Sequence, residues 1–152
     1  MGLFENGREA NLESCVAMVE QVLGDLGHET GSVRNKAVEH PEWCFKHGSA
    51  QVTVSLIQRE DFTHLRVVAP VITTDARVNV LNLYRRLLSL HTTEVHGAAF
   101  AAYRNEVHLV ADRSTIDLDL SEVHDIIKRV SDYADHYDDL LVEEFGGRLA
   151  RE

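Results

Sequence analysis

Nine histidines, two cysteines and 25 acidic side chains are the residues that could do chemistry, and metal binding is the first chemistry they suggest. The densest group is His40, Cys44 and His47. Side chains alternate along an extended segment, so Cys44 and His47 face opposite sides. No second ligand pair follows at zinc spacing, and there is no C-x-x-C or H-E-x-x-H. Asp132, Asp135, His136 and Asp139 fall on one helical face and could take a divalent ion. Carboxylate sites of that kind need a matching set on a second helix, which the sequence lacks. The four read instead as part of a solvated acidic face.

Nucleophilic catalysis finds no support either. There is no G-x-S-x-G elbow, Cys15 lies on an apolar helical stripe where thiols are inert, and Cys44 with His47 has no third, orienting group. Gly24, Gly27 and Gly31 lack the preceding strand that a phosphate loop requires. No catalytic, cofactor-binding or metal-binding residue is assigned, and no enzyme is expected.

The charge balance narrows the partners. Net charge is −10, and residues 117–144 hold ten acids against only Lys128 and Arg129. Phosphate backbones repel such a surface, which excludes nucleic acid; solubility or a basic partner fits better. At 152 residues and 17.1 kDa the chain suits one domain, 1–152. No apolar run approaches the ~20 residues of a membrane span. The first residues lack the basic-then-apolar pattern of an export signal, and two cysteines suit a reducing cytoplasm.

Periodicity supplies the elements that must position any site. Residues 11–27 carry Leu12, Cys15, Val16, Val19, Val22, Leu23 and Leu26 at helical spacing, with Asn11 as the expected cap and Gly27 as the stop. Period two then takes over around residues 43–46, 52–57 and 65–71, predicting a three-stranded antiparallel meander. Pro70, with no N–H to donate, is expected near a strand end or on an unpaired side. Helical spacing returns from Val78 through Leu81, Tyr84, Leu87 and Leu88, with Asp75 as a plausible cap and Leu83 and Leu90 off the main stripe. So wide an apolar arc predicts contact on two sides, with its own core and with a partner. A hairpin of residues 98–103 and 106–112 turns at Arg104-Asn105, where Asn tolerates positive φ. A long acidic helix from about Ser121 follows, with Asp119 and Glu122 at capping-box spacing and Gly146-Gly147 at its end. The order α-β-β-β-α-β-β-α gives an α+β fold with a five-stranded antiparallel sheet.

Several strands also carry apolar residues on the second face: Ile57, Val68, Ile72, Tyr103 and Val110. Helices covering both faces would explain them. So would an open sheet face used for a peptide or a dimer contact.

The strings WCFKHGSAQVTV (residues 43–54), LYRRLLSLHT (83–92) and YADHYDDLLVEEFGG (133–147), in this order and spacing, resemble the bacterial YbjN-like family. That family shares its fold with type III secretion chaperones. Its members are labelled sensory-transduction regulators or peptide-binding chaperones. His91 departs from the family, where Asn is common. The resemblance implies a cytoplasmic, non-enzymatic, dimeric protein that binds a client protein or peptide. It places Leu83, Tyr84, Leu87 and Leu90 at a dimer interface. A regulator or scaffold that dimerises without a client groove is the alternative, and a histidine-dependent metal protein or hydrolase a more distant one.

Overall fold

The structure, a computed structural model, describes residues 3–60 and 62–150. The elements are α1 (Leu3–Asp25), α2 (Thr30–Val33), β1 (Glu42–His47), β2 (Ala50–Gln58), β3 (Thr63–Thr73), α3 (Val80–Thr93), β4 (Ala99–Tyr103), β5 (Glu106–Ser114), α4 (Leu120–Phe145) and β6 (Arg148–Leu149). The fold is α+β and the sheet is antiparallel, in the order β1-β2-β3-β5-β4. Two elements were not anticipated: the single turn α2, and β6, two residues that pair with Ile72 and Thr73 of β3. The sheet therefore has six strands rather than five.

Alternation decides which sheet face is covered. Val54, Val67 and Leu109 stand on one face with their neighbours two residues away, and all are buried. Against them lie Cys15, Val19, Val22 and Leu23 of α1 and Val123, Ile127, Val130 and Leu141 of α4, in one hydrophobic cluster. Burying each such aliphatic side chain contributes roughly 1.5–3 kcal/mol. Helical side chains four and seven apart share a face, which is why these stripes meet the sheet.

Helix ends depart from expectation twice. Asn11 lies inside α1, not at its cap, and its Oδ1 is 2.8 Å from Thr115 Oγ1. Asn79, not Asp75, caps α3, accepting from the Asn82 N–H, while Asp75 accepts from the Arg77 N–H in the turn before it. The expected capping box of α4 is present in both directions, Glu122 N–H to Asp119 and Asp119 N–H to Glu122. In the hairpin turn Arg104, not Asn105, takes the positive φ.

Pro70 sits just beyond the last β2–β3 pair, Thr53 with Val68, at a bulge between Pro70 and Ile72. The extra residue resets the alternation. Val71 and Ile72 are both fully buried, and Ile72 pairs with core-facing Val107. The expectation that Ile72 lies on the second face is thus corrected by the bulge.

Candidate peptide-binding surface

Strand register lays out the second sheet face as rows running across the strands. One row is Cys44, Thr53, Val68, Val110 and Ala99, contributed in order by β1, β2, β3, β5 and β4. None of these five belongs to the hydrophobic core, and none is fully buried. No helix among the described residues packs its buried stripe on this side. Ile57 is half-buried at the end of β2, and Tyr103, on β4, is 65% exposed. Of the five residues singled out on this face, Ile57, Val68, Val110 and Tyr103 share it and Ile72 does not.

Polar groups frame the apolar row. Asp112 on β5 draws together Arg59, Arg66 and His64 at 2.9, 3.1 and 2.7 Å. Glu42 on β1 accepts from Asn35 at 2.7 Å and Ser55 at 3.0 Å, with His40 Nε2 at 3.0 Å. His108 stands 2.9 Å from Glu106. Burial opposes ionisation of Asp112 and Glu42. The hydrogen bonds outweigh it, so both carboxyls are held below their usual range. A carboxyl depressed in the folded state stabilises the fold above its unfolded value of about 4 and loses that contribution as pH falls through the folded value. The melting temperature of wild type should therefore drop from about pH 4 downward. Asp112→Asn with Glu42→Gln should flatten that acid limb in scanning calorimetry; superimposable limbs would remove both carboxylates from the account.

A second apolar region lies where α3 meets β4, the strand at one sheet edge. Leu83, Leu87 and Leu90 point into the protein's own core. Tyr84 is half-buried, and Leu81 and Leu88 are 61% and 70% exposed. A cleft of about 190 Å³ opens here, lined by Tyr84, Leu87, Leu88, His91, Phe100 and Ala102, with Ala101. Of the four expected contact residues, then, only Tyr84 and the rim of Leu87 reach the surface, and the outward stripe belongs to Leu81 and Leu88. His91 serves the strand beside it. Its Nε2 accepts the Phe100 N–H at 3.2 Å, which places its own proton on Nδ1. That bond occupies one of the main-chain donors a sheet-edge strand would leave unpaired.

The residues first weighed for chemistry are dispersed. His40 pairs with Glu42, while His47 reaches Asp132 at 2.8 Å. No three His, Cys, Asp or Glu side chains among the described residues converge as metal ligands. Burial pushes the Cys15 thiol up, only partly offset by a hydrogen bond with Thr115.

The acidic face of α4 is not merely solvated. Asp135 accepts from Ser49 N–H at 2.7 Å and lies 2.8 Å from Ser49 Oγ, and Asp138, itself 2% exposed, lies 2.6 Å from the same hydroxyl. Together they clasp the β1–β2 turn. Alternating acids at helical spacing mark that face, but nothing in the local pattern names the turn it would hold. Between Asp135 and Asp138 in the chain, the Tyr137 hydroxyl meets Glu94 at 2.7 Å, joining α4 to the end of α3. Burial and that carboxylate push its pKa up to about 12, so it remains a donor.

Comparison with known proteins gives a family and a set of folds. The model of the family described as T3SS (YopN, CesT) and YbjN peptide-binding chaperone 1 matches residues 13–152. No curated protein matches the chain. Among solved structures, the ExsC–ExsE complex holds a chain with 18% identity and a TM-score of 0.58, covering 85% of this chain and 94% of that one. The HopA1–SchA chaperone–effector complex matches at 9% identity and TM-score 0.60, over 86% and 97%. The ExoU–SpcU heterodimer of the Pseudomonas aeruginosa type III secretion system matches at 10% and 0.57, over 80% and 95%. At these identities the likeness is one of fold.

Proposed function

The chain belongs to the family of type III secretion and YbjN peptide-binding chaperones, and on that premise we propose that it is a non-enzymatic dimer that holds a client segment on its open sheet face. The observation that carries this reading is the row Cys44, Thr53, Val68, Val110 and Ala99, apolar or nearly so on all five strands and covered by no helix among the described residues. An apolar strip at the centre of a sheet is normally the floor of a packed layer. Left open and rimmed by charge, it suits a partner that supplies the missing layer.

The second apolar region, at α3 and β4, is assigned to the dimer contact. The two regions adjoin at β4, which gives Ala99 to the row and Phe100 and Ala102 to the cleft beside α3. The reading keeps the cytoplasm as the compartment; Cys15 and Cys44 are both free thiols. No helix among the described residues is long and apolar enough to cross a membrane.

Fluorescent peptides tiled across the proteins encoded beside its gene should test the client site. At least one should bind, and Val110→Asp should weaken it by more than about tenfold, since a charge placed in an apolar contact must be desolvated unpaired. A peptide held equally by wild type and Val110→Asp would move the client off this face. Were no peptide bound while the dimer persisted, the scaffold reading would take its place.

A further inference from the structure

His91 differs from the histidines that stand in ion pairs. His40, His47, His64, His108 and His124 lie beside carboxylates, where a second ring proton meets a negative partner. His91 Nε2 faces a donor instead, the Phe100 N–H at 3.2 Å. A backbone N–H cannot accept, so the ring nitrogen must, and it does so only while it carries no proton. Protonation makes donors of both ring nitrogens and sets N–H against N–H.

The groups around this ring do little to hold a charge at Phe100. The other six residues lining the cleft between α3 and β4 are uncharged, and Tyr84 is the one titratable side chain among them. Behind Phe100 stands the Tyr137 ring of α4, 5.8 Å away between centroids, with its hydroxyl given to Glu94 and His136 against its edge. On the neighbouring turns of α3, Arg86 pairs with Glu144 and Arg85 is an exposed cation. The carbonyl end of α3 does favour a positive charge in its last turn, where His91 lies. A proton is thus accommodated at the helix end when the ring gives up Phe100.

Two features depend on that bond. It ties β4, the edge strand, to α3, and the same ring meets the Phe100 ring edge-on with centroids 5.5 Å apart. Together α3 and β4 also present the apolar surface assigned to the dimer contact, with exposed Leu88 beside His91 in the cleft wall. A cation there must be desolvated without a partner when a second copy covers it, and twofold symmetry repeats the cost.

We propose that His91 is an acid-sensitive latch: neutral, it holds β4 to α3 in the form that pairs with a second copy; protonated, it releases the Phe100 N–H and weakens that pairing. The latch rests on the dimer contact assigned above and supplies its regulation.

Histidine side chains change charge between about pH 5 and 8, where ordinary carboxylates stay ionised. In sedimentation equilibrium the dimer dissociation constant of the full chain should rise at least about tenfold from about pH 8 to about pH 5.5, with circular dichroism unchanged. His91→Gln sets a neutral amide oxygen where Nε2 stood, so its dimer should be equally tight at both, which separates His91 from the other histidines. In nuclear magnetic resonance of wild type, the Phe100 amide signal should move in step with the His91 ring. A dimer equally tight or tighter in acid, a wild-type rise repeated in His91→Gln, or a Phe100 amide that ignores pH would overturn the latch and leave the dimer contact standing. A monomer at both pH values would remove the dimer reading and the latch with it.

Discussion

Replacing Leu88 with aspartate should halve the mass of the protein in solution. Leu88 is 70% exposed and Leu81 61%, one helical face apart from the buried Leu83, Leu87 and Leu90. Beside them runs β4, AFAAY, a sheet-edge strand with neither charge nor proline. Bare apolar edges of this kind invite pairing, and monomers ordinarily blunt them. In a twofold contact one substitution acts twice. Losing the burial of two leucines, at roughly 1.5–3 kcal/mol each, weakens association by about two to four orders of magnitude before the two new carboxylates repel each other. Light scattering reads the mass, and circular dichroism should be unchanged because Leu88 faces solvent. The neighbouring Leu87 is 4% exposed and would be the wrong probe, since a charge there would unsettle the protomer. A variant that keeps the wild-type mass would reject this helix as the interface.

Gly48→Ala should cost about 3 kcal/mol of stability, a large share of the 5–15 kcal/mol available to a domain. Gly48 has φ +58, and a Cβ there would fall 2.2 Å from Asp135 Oδ1. The left-handed backbone alone costs alanine about 1 kcal/mol. Moving Asp135 aside also strips Ser49 of an acceptor, and a hydrogen bond to a charged group is worth about 1.5–3 kcal/mol. The melting temperature should fall by about 6–12 °C. Asp135→Ala, which removes the obstacle along with the bond, should make the glycine replacement markedly milder in a double-mutant cycle. Additive losses would mean that the new Cβ does not displace Asp135 from the clasp.

Much of the fold was legible because hydrophobic period reports burial directly. The stripe of α1, the meander, the hairpin and the capping box of α4 all stand where spacing puts them. What period cannot report is phase. In α3 the sets Leu81, Tyr84, Leu88 and Leu83, Leu87, Leu90 are equally good stripes, and only packing beside β4 and α4 decides that the second turns inward. Ile72 was misplaced for a related reason: one bulged residue at Pro70 shifts every later side chain to the other face. The clasp on Ser49 joins residues 86 and 89 positions apart, a distance over which local pattern carries no information. Separations of 53 and 46 positions likewise hid the pairing of Arg59 and Arg66 with Asp112. The role of His91 depends on a backbone N–H nine residues later, which a comparison of side chains alone does not see.

The place of α4 in the chain bears on how the protein is made. It supplies Val123, Ile127, Val130, Ala134, Tyr137 and Leu141 to the core and closes the β1–β2 turn from the far end of the sequence. Until residue 145 has left the ribosome, only α1 of the pair α1 and α4 can cover the strands synthesised earlier, and the part of their core face that α4 seals stays open. Ribosomes stalled before that point would display sticky nascent chains, and messages truncated there would yield substrates for proteases rather than a smaller working protein.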